Sequence, residues 1–398
     1  MDYFLMNGKY IPDISILSKN VLCRSFVRSR KGLSMKTQAA RLEKHWAQTA
    51  LTARLGIEFP IIQGALGGFN TQRLSAAVSN FGGLGSFGAH GLAPEAIRTV
   101  ITEIRALTAK PFAMNLWVSM EDDGARASDE AAFQRSLQPL LPHIKALGGS
   151  APAYKPYKPI RFEDQMRVLL DEKIPVFSFI CGIPPKEILD ECRAQGIITI
   201  GTATTPDEAI AVEQAGIDIV SASGFEAGGH RGSFLRPAAE SLIGTFSLVP
   251  QIADVVSIPV VAAGGIADAR GVIAAFGLGA DGVQIGTAFL GAANAGANEF
   301  HRAALLNGQA GDTVLTKALT GRLARGIRNR LIDELDRKDA EILPYPLQRA
   351  LVKNLTSLAE TSAQPGFLQM WAGQSANLTR YADETAFLRH LVAELSGE

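Results

Sequence analysis

Cysteine is scarce in this 398-residue chain, with Cys23, Cys181 and Cys192 as its only three. They are too few and too scattered for a disulfide framework or a zinc cluster, so a reducing compartment and a fold held by its own core are expected. Neither sign of charge is in excess, since 39 Lys and Arg balance 39 Asp and Glu. No net field therefore draws the protein to nucleic acid or to anionic lipid. No apolar run approaches the roughly 20 residues of a membrane-spanning helix. Long stretches such as 258–297 are broken by Asp268, Arg270, Asp281, Gln284 and Asn294. Walker A, His-Glu-x-x-His and Gly-x-Ser-x-Gly patterns are missing, which leaves P-loop, zincin and serine-hydrolase chemistry without support.

What is present reads as globular, with 47% hydrophobic and 20% charged residues. The length suits two or three domains of roughly 150 residues, or one α/β barrel of about 250 with extensions. Residues 1–50 form an N-terminal extension of a different character. From Lys19 to Lys36 it carries six basic residues and no acidic one, a composition shared by organelle presequences, by a segment ahead of a later start at Met35, and by a disordered arm. A cytoplasmic location is the expectation, with organelle targeting as the alternative.

From Pro60 onward short apolar runs alternate with amphipathic stretches. The expected strands are Pro60–Gly64, Gly83–Phe87, Pro111–Trp117, Val176–Ile180, Ile197–Thr202, Ile217–Ala222, Pro259–Gly264 and Gly282–Phe289. Their continuous apolarity means burial on both faces, as in a parallel sheet covered by helices. Pro184–Gln195, Pro206–Ala215 and Asp268–Phe276 have helical start and stop signals. Eight such units give an α/β fold of the (β/α)₈ TIM-barrel kind over 51–306, with an open doubly wound sheet as the alternative. A long insertion spans 118–162, and 307–398 reads as a helical C-terminal subdomain.

Two Gly-x-Gly-x-x-Gly matches, at Gly83, Gly85, Gly88 and at Gly277, Gly279, Gly282, lack the strand-then-helix context of a dinucleotide fingerprint and read as barrel turns. The informative glycines follow the seventh and eighth strands. Gly264-Gly265 and the run Gln284-Ile285-Gly286-Thr287 fall where a barrel builds its phosphate site. Backbone N–H groups approach phosphate oxygens there, and Thr287 adds a hydroxyl.

After the sixth strand comes Ser223-Gly224-Phe225-Glu226-Ala227-Gly228-Gly229-His230-Arg231-Gly232. A flexible glycine loop presents His230 at the catalytic end of the barrel, with an ordinary pKa near ~6.5 that suits proton transfer. Arg231 is open to an anion-holding or a solvated role. The other five histidines, His90 included, read as core or surface residues. Asn115, closing the third strand, and Gln63 and Gly64, closing the first, either face the barrel mouth or cap a loop.

Together these residues resemble the nitronate monooxygenase family, formerly called 2-nitropropane dioxygenases, and most of all its class I branch. The resemblance rests on Pro60–Gly64, Met114-Asn115, Glu226–Gly232, Ala263–Asp268, Asp281–Thr287, Thr320–Arg330 and Trp371–Gln374, and covers about residues 50–380. It implies FMN, bound without covalent attachment. Asn115 would contact the flavin, the Gly228–Gly229 backbone would lie near its reactive face, and Gly264, Gly265, Gln284, Ile285, Gly286 and Thr287 would cradle its phosphate. His230 would be the base that removes an α-proton from a neutral nitroalkane. Departures occur at Gly64-Ala65-Leu66, where the family often has Ala-Pro-Met, and at Ser223, where Gln is common and a shorter side chain now stands beside the flavin. The Tyr-Lys-Pro-Tyr-Lys-Pro stretch at 154–159 is a third, and would reshape the substrate pocket. The implied reaction is oxidation of alkyl nitronates such as propionate 3-nitronate by O₂ to a carbonyl compound and nitrite. The alternative is an FMN-dependent NAD(P)H:quinone or enoyl-thioester reductase on the same fold. Expected partners are the small-molecule nitronate and O₂, with no metal, no nucleic acid and no membrane, and with a homodimer left open.

Overall fold

The computed structural model describes residues 3–6, 9–12, 46–119, 121–158, 160–337 and 340–397. The basic segment 19–36 and Cys23 lie outside the described residues. Tyr3–Met6 and Lys9–Pro12 pair as an antiparallel hairpin, Phe4 opposite Ile11.

Eight parallel strands follow: β1 (Ile61–Gln63), β2 (Gly85–Gly88), β3 (Phe112–Trp117), β4 (Val176–Ile180), β5 (Ile198–Ala203), β6 (Ile219–Ser223), β7 (Val260–Ala263) and β8 (Gly282–Ile285). They are ordered β1-β8-β7-β6-β5-β4-β3-β2. The ring closes where Ile62 bridges Leu84, with Gln63 N–H donating to Leu84 O at 2.9 Å and Leu84 N–H to Ile61 O at 2.9 Å. The fold is a TIM barrel, and the open sheet is excluded. The eighth strand is shorter than its apolar run: it stops at Ile285, and Thr287–Leu290 is a short helix.

Helix ends follow the local chemistry. Thr205 caps Pro206–Gln214 and Asp268 caps Ala269–Gly277 through backbone N–H groups otherwise left without acceptors. Lys186–Gln195 ends on Gly196 in the left-handed conformation. Inside the barrel, Ile62, Leu84, Ala113, Val176, Ile200, Ile219 and Val261 pack with Leu51 and Leu55, so the helix Ala50–Leu55 plugs the end opposite the site. Each fully buried Leu or Ile contributes roughly 1.5–3 kcal/mol, and this plug leaves only one end of the barrel open.

The segment after β8 differs from a purely helical subdomain. Thr313–Thr316 and Ala324–Ile327 are strands, and they form a three-stranded antiparallel sheet with Gly229–His230. The helix Leu347–Thr361 lies over the barrel mouth, and its Leu351, Val352 and Leu355 share a second core with Leu137, Leu140 and Ile144 of the 118–162 connection. The last helix, Glu384–Ser396, belongs to the barrel itself. It packs against Gln72–Phe81 and Ala269–Gly277, buries Phe387, Leu388 and Leu391 in the barrel core, and takes the outer position that β8 leaves open.

Candidate functional site

The C-terminal ends of the strands open into a cavity of about 580 Å³, within the range of small-molecule and cofactor sites. His230 lines it, and its setting is more rigid than a glycine loop suggests. Gly229 and His230 pair with Arg325 and Ala324, and Arg231 N–H donates to Leu323 O at 3.0 Å. Gly229 has φ +75, a conformation that glycine adopts at little cost and that turns the chain into this pairing.

The imidazole has one nitrogen committed. Thr320 donates its hydroxyl to the Arg322 carbonyl at 3.1 Å, and its oxygen lies 2.9 Å from His230 Nε2. With the Thr320 proton so placed, Nε2 donates and carries the hydrogen. Nδ1 is then the acceptor, and among the described residues it has no partner. Burial, then the Arg322 guanidinium, His90 and Arg349, hold the His230 pKa well below its ordinary value. The ring is therefore neutral at neutral pH, with a lone pair available.

An aromatic and cationic wall surrounds it. Trp117 meets His230 edge-on at 4.8 Å, Trp371 at 5.2 Å and Tyr345 at 5.9 Å between ring centroids. The Arg322 guanidinium lies over Trp117 at 5.2 Å and over Tyr345 at 4.7 Å, anchored by Asp122 at 2.7 Å and by the Ser119 carbonyl at 3.0 Å. His90 stacks on Trp117 at 4.1 Å, its Nδ1 buried without a partner, and burial together with Arg349 and Arg322 lowers its pKa to about 3. His90 is thus a cavity residue and not a bland one. Its signal in the sequence was position, two residues past β2 at the same face that made His230 conspicuous. Thr320 opens the Thr320–Arg330 stretch that resembles the family, whereas no local pattern marks Tyr345 or Arg349. The described residues of the 118–162 connection contribute none of the lining, and they act through Asp122 and Ser119 on Arg322.

Most of the remaining residues singled out in the sequence fall on the cavity wall, and Ile285, Gln63 and Arg231 do not. Gly64, Asn115, Ser223, Gly228 and Gly229 line it, as do Gly264, Gly265, Gln284, Gly286 and Thr287. Asn115 donates to Ser178 Oγ at 3.0 Å. Ile285 does not line the cavity: its side chain is buried in the core, because alternation along β8 turns it away from the face that Gln284 occupies. Gln63 also stays off the wall and ties β1 to β2, donating to Gly64 O at 2.7 Å and Ser86 O at 3.0 Å. Arg231 is neither solvated nor poised for an anion. It is 2% exposed and donates to Gly224 O at 2.7 Å and Ser223 O at 2.8 Å, bracing the loop.

Among the described residues the N–H groups of Gly264, Gly265, Gly286 and Thr287 have no acceptor, and Gly264 and Gly265 take φ +98 and +76. The segment Trp371–Ser375 straps this end. Gly373 N–H donates to Thr287 Oγ1 at 2.9 Å, Gln374 N–H to Glu226 O at 2.9 Å, and Ser375 Oγ to Gly265 O at 2.7 Å. A Cβ on Gly228 would stand 2.7 Å from the Ala372 carbonyl carbon and from Gly373 N, so the two backbones touch only because that side chain is absent. Among the described residues no group of three or more His, Cys, Asp or Glu can hold a metal ion, and no helix is long and apolar enough to cross a membrane.

A barrel with this histidine and these glycine loops defines a class that comparison identifies. The family model described as nitronate monooxygenase matches residues 48–396. A Staphylococcus aureus (strain Newman) protein named probable nitronate monooxygenase is 40% identical over 352 residues, covering 88% of this chain and 98% of that relative. The solved nitroalkane oxidase from Streptomyces ansochromogenes is similar at TM-score 0.79 and 33% identity, covering 88% and 98% of the two chains. FabK from Thermotoga maritima is similar at TM-score 0.68 and 30% identity, covering 88% and 96%. The chain belongs to the nitronate monooxygenase family, a family of flavin-dependent oxidoreductases.

Proposed function

We propose that the protein oxidises alkyl nitronates, propionate 3-nitronate among them, with FMN and O₂, to a carbonyl compound and nitrite. The observation that carries this reading is His230, neutral and with Nδ1 free toward the cavity. The fit of FMN rests on the donors without acceptors at Gly264, Gly265, Gly286 and Thr287, which match the oxygens of a phosphate. Asn115, Ser223, Gln284 and the Gly64 and Gly228–Gly229 backbones would hold the rest of the cofactor. When bound, the flavin supplies the electron transfer between substrate and O₂.

The protein's own part is positioning, desolvation and one proton. His230 Nδ1 takes the α-proton of a neutral nitroalkane, while Thr320 keeps the opposite nitrogen protonated and the ring in place. The proton taken up offsets the negative charge developing on the nitro group, in a site screened from water by Trp117, Tyr345 and Trp371. A pre-formed nitronate needs no such transfer and meets His230 as a positioning partner.

The test is an aerobic assay of FMN-loaded protein with propionate 3-nitronate, following oxygen uptake and nitrite, with NADH in parallel. Oxygen uptake with stoichiometric nitrite and no response to NADH is expected. Flavin reduction by NADH without nitronate turnover would overturn the reading in favour of the reductase alternative.

A further inference from the structure

The helix Leu347–Thr361 presents one face to the cavity. Arg349, Lys353, Thr356, Ser357 and Glu360 all line it, a spacing of 4, 3, 1 and 3 residues that keeps them on one helical stripe. The two ends of the stripe differ in charge. Among the described residues Glu360 is the only acidic one lining the cavity, and it lies at the end away from His230. Arg349 and Lys353 lie at the other end. Tyr345, four residues before Arg349, meets His230 edge-on at 5.9 Å. Among the described residues Arg349 and Lys353 are the only Lys or Arg lining the cavity, and the arginines behind its wall are already engaged. Arg322 is held by Asp122 at 2.7 Å, and Arg231 is wrapped by carbonyls. Among the described residues no carboxylate pairs with Arg349 or with Lys353. Arg349 is half-buried, its guanidinium beside Gly91 just past β2, and a partly desolvated cation without a counter-charge favours an incoming anion.

The place of this charge separates it from the phosphate loops. Those loops follow β7 and β8, whereas Arg349 sits over the loop after β2, with β1 and its loop between them. An anion held by Arg349 therefore belongs to the substrate side of the cavity. We propose that Arg349, with Lys353 one turn outward, binds a carboxylate carried on the tail of the substrate, and that this makes it the specificity-determining residue for dianionic, carboxylated nitronates over alkyl nitronates with uncharged chains. A guanidinium meets a carboxylate with two parallel donors, and the partly dry wall strengthens that contact. The inference rests on the nitronate reading of the site for its substrate class, and its test separates the two.

The holoenzyme is assayed with propionate 3-nitronate and with 1-propyl nitronate, and the ratio of the two kcat/KM values is compared across variants. Binding of 3-nitropropionate and of 1-nitropropane is measured in parallel by tryptophan fluorescence, which requires no turnover. The native protein favours the carboxylated compound in both. Arg349→Gln lowers each ratio by about tenfold to a hundredfold, the range of a charged hydrogen bond. Arg349→Lys keeps part of it, since the charge remains without the fork. Lys353→Gln, at the exposed end, shifts the ratio less, and Arg349→Lys and Lys353→Gln carry the test should Arg349→Gln not fold. Equal treatment of the two compounds by the native protein, or ratios unchanged within about twofold in Arg349→Gln, would overturn the subsite. Absence of nitronate turnover with the binding preference intact would instead overturn the proposed reaction and leave the carboxylate subsite standing.

Discussion

Thr320→Val removes the hydrogen bond that sets the tautomer of His230, together with the hydroxyl's bonds to the Arg322 backbone. Valine keeps the volume of threonine and removes its acceptor. Thr320 is 1% exposed, so no water replaces the lost oxygen, and a ring that kept its hydrogen on Nε2 would carry an unsatisfied buried donor. That costs about 1–3 kcal/mol. The ring escapes the cost by moving the hydrogen to Nδ1, which faces the cavity, and it then has no lone pair there to offer. The fraction of enzyme in the productive tautomer falls about fivefold to a hundredfold, following from the same energy. Initial rates with 1-nitropropane should drop by that factor, and those with propyl nitronate, which has already lost its α-proton, should drop much less. Thr320→Ser should restore both. The ¹⁵N shifts of His230 report the tautomer directly and are expected to exchange the roles of the two nitrogens in the valine variant. An unchanged ratio of nitroalkane to nitronate rates, or a valine variant that keeps its Nε2 proton with full activity, would refute the reasoning.

Three further outcomes follow from the same geometry. His230→Ala should abolish turnover of neutral nitroalkanes and spare much of the nitronate reaction; equal loss on both substrates would contradict its role as base. Gly228→Ala should cost about 1–3 kcal/mol, because its Cβ would meet backbone atoms of Ala372 and Gly373 that cannot rotate away; lower Tm and reduced flavin content after purification check it, and a variant normal in both would show that the strap yields. Stability should fall in acid. Burial lowers the pKa of His90 to about 3 and that of His301 to about 4. The unfolded chain takes up these protons below pH ~6.5 while the native one does not, so each residue costs about 3 kcal/mol by pH 4 and nothing above neutrality. Urea unfolding at pH 7.5 and at pH 4.5 measures this, and equal stabilities would exclude it.

The barrel was legible because its strands are short, continuously apolar and bounded by glycine or proline, a pattern that burial on both faces requires. It failed where apolarity does not distinguish helix from strand: Thr287-Ala288-Phe289-Leu290 extends the eighth run in sequence and turns into a helix in space. Ile285 shows the converse limit. A motif marks a stretch of chain as near a ligand, and the alternation of β8 decides which of its residues reach it. The role of the tail was legible only in part. Its strands are four residues each, too short for periodicity to register, and their pairing with Gly229–His230 is a contact across about ninety positions. His230 announced itself through its loop and its place at the strand ends. Thr320, Tyr345 and Arg349 reach the site from far along the chain, and only the folded arrangement brings them to it.

The closing helix Glu384–Ser396 has a consequence for how the protein is made. The ring of helices is completed by the last residues of the chain, which dock beside Gln72–Phe81, and Trp46 Nε1 donates to Ser396 Oγ at 3.3 Å. During synthesis every strand of the barrel emerges before the helix that seals it, so until then the apolar flanks of Gln72–Phe81 and Ala269–Gly277 stand open to solvent and to other chains. A chain cut short by even its last fifteen residues keeps the glycine loops, His230 and the strap in its sequence, yet lacks the final stave that holds the barrel shut.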